Sequence, residues 1–511
     1  MSTPYDPSTR SSTHRVMLTR TKRLRAVWGG TETLVAEGEV YLPKFEKEDD
    51  KRYQQRKGSA RLRRNMFRQA VERITGRIFE VPVRLKDATT NGKVLADDAD
   101  RRGNSLDRVA RNLYRDALYL GFRHILVDYP VVEAENLAQE RAAGARPYLI
   151  ELQPEQVLRC YQDDDGHITH LAWECSSTQW DEVTGQEVTM LEIHERFSVP
   201  GEKTSRGRTW QQTSTPTSAI LPAQARPVLV GGAALPQAYS LGWQLEKDFV
   251  ISQNRIMLHT LYAERETHML GRTPLTEVAD LTIEHFQIAS DYRNCLRHVL
   301  FPILTATGVE QKDVGAIVLG PDTILGSSKS DAKFAYLEHT GKAIEAGYKD
   351  LESLEQRAEA YAGRLTKSSG DVKATTEAIN SAEVSSFAKD MAQSLQDVLQ
   401  AILDDCALWT KEESLSRADV NMDFAVDLPQ GDLEMLKTMR QNNDITRETL
   451  WNEATRRNVL SRDFDPDEEK RMLEEQERES MDREQEAMRF AAGLKEDTGS
   501  GAPFPAKEPG A

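Results

Sequence analysis

Clustered carboxylates near two histidines are the residues of this chain best suited by type to hold a divalent cation. Asp163, Asp164 and Asp165 are consecutive, and His167 and His170 follow them closely. Carboxylate oxygens are good ligands for hard cations, so a metal-dependent nuclease site is one hypothesis. However, Asp165 is followed by Gly166 between two strand-like segments, and Asp-Gly is a common hairpin turn. The pattern therefore favours a turn over a metal site.

Other catalytic patterns do not match the sequence. Residues 320–329 contain Gly320, Gly326 and Lys329. Their spacing is wrong for a P-loop, in which a lysine directly follows the second glycine. There is no His-Glu-x-x-His motif and no Gly-x-Ser-x-Gly elbow. The four cysteines have no paired spacing typical of zinc ligands or a disulfide framework. We therefore expect no enzyme, no catalytic residue, no bound metal and no cofactor.

A short basic loop offers a different kind of chemistry, namely contact with an anion. Lys367 and Lys373 lie in a polar break, with Ser368 and Ser369 between them and Arg364 just before. Apolar residues at helical spacing predict long amphipathic helices on both sides, over 338–365 and 376–409. Asp371 or Thr375 can cap the second helix. An ordinary helical hairpin with an inactive loop is the alternative at this point.

The rest of the chain reads as alternating helices and strands. Residues 1–58 predict an irregular arm. Helical patterns follow at 59–79 and 105–121, and strand patterns follow at 124–130, 148–152, 167–173, 188–197 and 255–262. Next come a helix capped by Thr273 and running to about Leu300, short strands at 301–309 and 315–320 with a further one at 333–337, and C-terminal helices after Pro429. These patterns predict an α+β protein.

Composition limits the possible partners. The chain has 511 residues and a net charge of −16, which opposes a general DNA-binding protein. Six basic residues precede Glu32 against one acidic residue, whereas 15 acidic and 8 basic residues lie from Ser461 onward. No apolar run is long enough for a membrane span or a signal peptide. We therefore expect a protein that stays in the cytoplasm or in a particle assembled there, without a membrane partner.

The order of several short motifs resembles that of bacteriophage portal proteins, and in particular a phage portal-like family carrying a domain of formerly unknown function. The motifs are Tyr41-Leu42-Pro43, the segment from Gly121 to Pro130, Pro274-Leu275, Ile283 to Phe286, Ser290-Asp291, Pro302 to Gly308, Leu337 to Gly341, and Ala374 to Ala378. The resemblance extends over most of the chain.

The resemblance implies a portal fold with an α/β wing, a helical stem, a small β-containing clip and a helical crown, assembled into a ring. Its parts would be an N-terminal arm at 1–58, the wing at 59–272, stem helices at 273–300 and 338–365, the clip at 301–337, the tunnel loop at 366–376, a wing helix and its return at 377–429, the crown at 430–492 and a disordered tail at 493–511.

The resemblance also implies a function. Portals form twelve-subunit rings at one capsid vertex, through which double-stranded DNA is packaged, retained and ejected. Lys367, Lys373 and Arg364, with Ser368 and Ser369, would then face the DNA. The clip, around Ile317, Val318, Leu319, Pro321 and Leu325, would dock the terminase motor and later the head-to-tail adaptor. The major capsid protein is a further expected partner, and the expected location is the virion.

Two alternatives stay open from the sequence. One is a structural adaptor or scaffolding protein of another large assembly. The other is the metal-dependent nuclease that uses Asp163 to Asp165.

Overall fold

The computed structural model confirms a mixed α+β chain. It describes residues 5–130, 144–181, 185–199, 201–212, 229–230, 233–234, 242–299, 303–307, 333–337, 342–364, 374–422, 431–442, 444–456 and 466–497, together with the single residues 139, 460 and 464. The chain divides into two compact units, Met1–Phe424 and Ala425–Ala511.

The N-terminal segment is helical, so the prediction of an irregular arm is wrong. It forms α1 (Ser12–Gly29), α2 (Thr31–Ala36) and α3 (Asp50–Ser59). Leu24 and Val27 of α1 and Leu34 of α2 belong to the main hydrophobic core. Few apolar residues lie among many arginines here, so the helical pattern is weak in sequence, and burial against distant elements stabilises these helices.

Helices at 59–79 and 105–121 and a strand at 124–130 were predicted next, and the structure has all three together with a short strand and a short helix that were not predicted. These elements are α4 (Met66–Ile78), β1 (Arg84–Lys86), α5 (Thr90–Asp97), α6 (Leu106–Leu120) and β2 (Phe122–Asp128). The Ser105 hydroxyl caps α6 by accepting a hydrogen bond from the Arg108 amide, and Gly121 ends the helix in a left-handed conformation with φ of 99°.

The strands of this unit pair antiparallel in separate sheets. In chain order they are β3 (Tyr148–Leu152), β4 (Val157–Gln162), β5 (Ile168–Asp181), β6 (Gln186–Ser198), β7 (Ser205–Gln212), β8 (Leu229–Val230), β9 (Ala233–Ala234), β10 (Trp243–Ile251), β11 (Leu258–Tyr262), β12 (Glu264–Thr267) and β13 (Leu270–Arg272). One sheet has the order β11-β2-β3 and another has the order β10-β7-β6-β5-β4. The turn-separated strand patterns of the sequence are typical of such antiparallel pairing, but they do not specify the division into a three-stranded and a five-stranded sheet.

A long helical region completes the first unit. It contains α7 (Thr276–Val299), β14 (Ile303–Thr307), β15 (Lys333–Leu337), α8 (Lys342–Arg364), α9 (Ala374–Thr410) and β16 (Arg417–Asp419), which pairs with β1. The predicted cap contact is present, since the Thr273 hydroxyl accepts a hydrogen bond from the Leu275 amide at 3.1 Å, and helix α7 itself begins three residues after Thr273. Helix α9 begins at Ala374, so Thr375 lies within it and is not its cap. Asp371 lies outside the described residues.

The second unit consists of helices in the residues that the structure describes. They are α10 (Gly431–Gln441), α11 (Arg447–Arg456) and α12 (Pro466–Asp497). The Thr446 hydroxyl caps α11 by accepting a hydrogen bond from the Thr449 amide. Across both units, no described helix is long and apolar enough to pass through a membrane.

Candidate functional site

Helices α7 and α8 pack against each other as an antiparallel pair. His285 Nε2 of α7 lies 3.2 Å from Glu355 Oε1 of α8. Two turns further along α7, Tyr292 faces Gly347, where an added Cβ would lie 3.0 Å from the tyrosine ring. Seven residues forward on α7 thus correspond to eight residues back on α8, which fixes the antiparallel register.

Strands β14 and β15 continue the same pairing. Ile303 lies opposite Leu337, and Thr307 lies opposite Lys333. The register that joins His285 to Glu355 therefore runs without a shift from the helices into the strands. The described residues 276–299, 303–307, 333–337 and 342–364 therefore share one antiparallel register, and we call them together the α7–α8 hairpin.

The hairpin separates the two sites predicted from sequence. Residues 308–332 connect the strands at one end, and residues 365–373 follow α8 at the other end. Since α7 has 24 residues, the helical part alone spans about 36 Å. The chain therefore continues into residues 308–332 from one end of the described hairpin and into residues 365–373 from the other end.

Most of the predicted contact residues lie outside the described residues. This holds for Lys367, Lys373, Ser368 and Ser369 in the loop, and for Ile317, Val318, Leu319, Pro321 and Leu325 in the clip. Arg364 is the last residue of α8. The strand predicted at 333–337 is present as β15, whereas the strand predicted at 315–320 lies outside the described residues.

The α7 helix packs on two sides. One side contacts α8, and the other lies against the N-terminal elements, where the Phe67 amide donates to Thr282 Oγ1 at 3.2 Å and Gln287 Nε2 donates to the Tyr41 carbonyl at 3.0 Å. The second apolar side is therefore covered within the same chain. A neighbouring subunit is not needed to explain it.

An arginine groove, which sequence reading missed, lies beside the hairpin. It has a volume of about 540 Å³ and is lined by Arg61, Arg63, Arg293 and Arg297 around Ala289, Tyr292, Leu296 and Leu351. Arg293 and Arg297 are one turn apart on α7 and have no carboxylate partner among the described residues. Their spacing was the only sequence signal, because Arg61 and Arg63 come from a distant segment.

The other two arginines of the groove are partly held in place. Arg63 Nε lies 3.9 Å from a Glu355 carboxylate oxygen, and its guanidinium lies 5.7 Å from the centre of the Tyr348 ring. Arg61 Nη1 donates to the Ala60 carbonyl at 2.7 Å. These contacts leave guanidinium N–H groups available for an anionic partner.

His285 connects α7 to Glu355 of α8, which in turn lies beside Arg63 of the arginine groove, and the neutral histidine ring adds no charge there. It is fully buried, and burial lowers its pKa despite the opposing effect of Glu355. The neutral ring therefore forms a hydrogen bond to Glu355, while the same glutamate lies near Arg63 and Arg64. This arrangement has a structural role in holding α7, α8 and the segment before α4 together.

The aspartate cluster at 163–165 forms a hairpin turn between β4 and β5, as the sequence favoured. Asp163 Oδ1 accepts a hydrogen bond from the His167 amide at 2.8 Å, and Gly166 has φ of 84°. Ligand atoms of Asp163, Asp165 and His167 lie within 4.8 Å of one another, but the last two side chains are exposed. Because Asp163 already stabilises the turn, the geometry is accounted for by local structure.

A single buried carboxylate, that of Glu195, has several hydrogen-bond donors around it. Glu195 accepts hydrogen bonds from Arg159 at 2.5 Å, from Trp210 at 2.7 Å and from Tyr5. Burial alone would raise the pKa of Glu195, but hydrogen bonds from His170, Tyr5 and Trp210 lower it overall. Arg159 also donates to the Pro7 carbonyl at 2.9 Å. These contacts therefore fasten the N-terminal residues to the five-stranded sheet.

The cysteines are all free, as their spacing predicted. Burial raises the pKa of Cys160 and that of Cys406 to about 12. Neither thiol is therefore activated as a nucleophile at neutral pH.

Comparison with known proteins concerns the hairpin region. No curated protein matches the chain. One family model, described as a domain of unknown function (DUF4055), matches residues 274–410. The match begins two residues before α7 and ends on the last residue of α9. Such domains occur in phage-associated proteins, and the segment that resembles them here comprises the α7–α8 hairpin and the helix that follows it.

Proposed function

We propose that this chain is a phage portal protein, one subunit of a twelve-membered ring through which DNA enters and leaves the capsid. The observation that carries the proposal is the continuous α7–α8 hairpin, with one connecting segment at each end. The family match supports it, because the matched residues cover this same hairpin and α9.

In the proposed ring, the hairpin is the stem and each end has its own partner. The segment 308–332 would dock the terminase motor and later the head-to-tail adaptor, through residues such as Ile317 and Leu325. The segment 365–373 would face double-stranded DNA with Lys367 and Lys373. Both assignments come from the resemblance to portal proteins, and the length of the element that connects the two segments, about 36 Å for its helical part, supports giving them different partners.

The net charge of the chain is better suited to a channel through which DNA slides than to a protein that binds DNA tightly. A net charge of −16 per subunit opposes tight binding of phosphates. A channel in which DNA slides needs weak contacts, because each retained phosphate contact adds to the barrier against movement. Two loop lysines in an acidic subunit are consistent with that requirement.

The test is the mass and shape of the full chain over a range of concentrations, by native mass spectrometry and negative-stain electron microscopy. A ring of about twelve subunits with a central hole is expected, because the resemblance to portal proteins implies that number and head-to-tail contacts can close into a ring. A monomer at all concentrations would contradict the proposal and favour the adaptor or scaffolding alternative. Magnesium-dependent DNA cleavage that is lost on Asp163→Asn and Asp165→Asn would favour the nuclease.

A further inference from the structure

The flank of the α7–α8 hairpin opposite the arginine groove carries unpaired acidic residues. Glu277 and Glu284 are exposed on α7, and Asp350 is exposed on α8. None of the three has an ion-pair partner within the part of the chain that the structure describes. We call these residues the acidic flank.

Helix geometry places the groove and the acidic flank on opposite sides. Glu284 and Arg293 are nine residues apart, which is two and a half turns, so they project in opposite directions. Tyr348 lies on the groove side because Arg63 covers its ring, and Asp350 is two residues, or about 200°, further round α8. One hairpin therefore has a basic flank and an acidic flank.

We propose that the arginine groove of one copy receives the acidic flank of a second copy, and that repetition of this contact builds the ring. The inference rests on the proposed function and names its subunit interface. The contact uses two different surfaces, so each copy has one groove and one flank free for further copies. Such head-to-tail contacts produce closed rings when the rotation between copies closes.

The heights of the two surfaces along the hairpin fit a closed ring. In the register of the hairpin, Asp350 lies level with about residue 290 of α7, roughly 5 Å along the axis from Arg293. Glu284 is about 14 Å from Arg293 along the same axis. A tilt of the hairpin relative to the ring axis absorbs offsets of this size, whereas an offset much larger than a helix diameter would favour an open helical filament.

A second copy fits the groove better than nucleic acid does. The floor of the groove is apolar, with Ala289, Leu296 and Leu351, and a protein surface can cover it whereas a phosphate backbone cannot. The net charge of the chain also opposes phosphate binding. Guanidinium groups above an apolar floor are typical of protein interfaces, in which arginine is enriched.

Reversal of charge on each surface tests the interface. One variant carries Arg293→Glu and Arg297→Glu, another carries Glu284→Arg and Asp350→Arg, and a third carries all four substitutions. We expect the concentration at which half of the subunits are assembled to rise about tenfold or more in each double variant, and to return toward wild type in the fourfold variant. The readout is the fraction of rings by mass photometry at low salt.

A matched control carries Arg108→Glu and Arg111→Glu on the exposed side of α6, outside the groove, and should assemble like wild type. Circular dichroism reports folding. If the variant with Arg293→Glu and Arg297→Glu does not fold, the variant with Arg293→Gln and Arg297→Gln replaces it.

Unchanged assembly of the double variants in a protein that forms rings would overturn this inference alone. Absence of rings in the wild type would instead overturn the proposed function. If the variant with Arg293→Glu and Arg297→Glu still forms rings but no longer binds a short DNA duplex that the wild type binds, the groove is a nucleic-acid site and the inference is overturned.

Discussion

At the scale of single residues, burial decides which charged and titratable groups act and which only stabilise. His124 on β2 is fully buried, and its Nδ1 lies 2.8 Å from the Thr260 hydroxyl. Burial, with smaller contributions from His268 and Arg123, lowers the pKa of His124 to about 3. The folded chain therefore keeps this ring neutral over a pH range in which the unfolded chain protonates it.

This difference predicts a loss of stability in acid. Above about pH 7.5 the ring is neutral in both states, so it contributes no pH dependence there. As the pH falls from about 6.5 toward about 3, the unfolded state binds a proton that the folded state does not, and the free energy of unfolding falls by about 1.4 kcal/mol per pH unit. In His124→Gln and His124→Phe this part of the slope should disappear.

Urea unfolding at several pH values between 7.5 and 4.5 measures the slope. The two replacements differ in shape and polarity, so their stabilities at pH 7.5 should differ from each other while their slopes agree. A wild-type slope in both variants would show that His124 is not responsible.

The lysines of the loop give a prediction of a different kind. In particles assembled with Lys367→Ala and Lys373→Ala subunits, ring formation should be unchanged, because neither residue lies on the hairpin. Packaging or retention of DNA should be impaired, since two cations that would face the phosphates in the proposed channel are removed. The measurement is the length of packaged DNA, and a normal genome length would refute the assignment of these lysines.

At the scale of elements, the junction of α6 and β2 shows how closely the backbone is packed. Gly121 ends α6 with φ of 99°, and a Cβ placed there would lie 2.8 Å from the Gly271 carbonyl carbon. Gly271 lies on β13, so two chain segments approach each other where neither has a side chain. Both the conformation and the close approach require glycine.

Gly121→Ala should therefore lower the free energy of unfolding by about 3 kcal/mol or more, since the strain of a left-handed alanine adds to a backbone clash. Gly76→Ala is the matched control, because Gly76 lies within α4 and a Cβ there meets nothing within 4 Å. The control should gain up to about 1 kcal/mol from the higher helix propensity of alanine. Equal effects of the two substitutions in denaturant unfolding would contradict this account.

At the scale of the whole molecule, the core belongs to the first of the two units. The main hydrophobic cluster extends from Leu24 to Val420 and joins α1, α4, α6, α7 and α9. Among the residues that the structure describes, it contains none of the second unit, which begins at Ala425. Folding of the first unit therefore depends on contacts within residues 1–424.

A chain ending at Phe424 should retain one cooperative thermal transition, with a melting temperature within a few degrees of the corresponding transition of the full chain, because no member of the main core is removed. Differential scanning calorimetry of both chains makes the comparison. A loss of cooperative melting would mean that the second unit contributes to the core of the first.

Some features of the fold and of the candidate site could be predicted from the sequence, and others could not. The cap at Ser105, the turn at Gly166 and the cap at Thr446 were predictable, because each depends on neighbouring residues and their own hydrogen bonds. The helices α1 and α2 were not, because their stability comes from burying Leu24, Val27 and Leu34 against elements far along the chain. The arginine groove was also missed, since it joins residues 61–63 to residues 289–297.

By itself, the sequence determined the α+β class, the long helices on both sides of the basic loop and the local turns, since periodicity and capping act over a few residues. Only the tertiary structure decided the continuous register of the α7–α8 hairpin, the burial of His124 and Glu195, and the opposite placement of the arginine groove and the acidic flank. These features depend on contacts between residues distant in the chain, which local patterns do not specify.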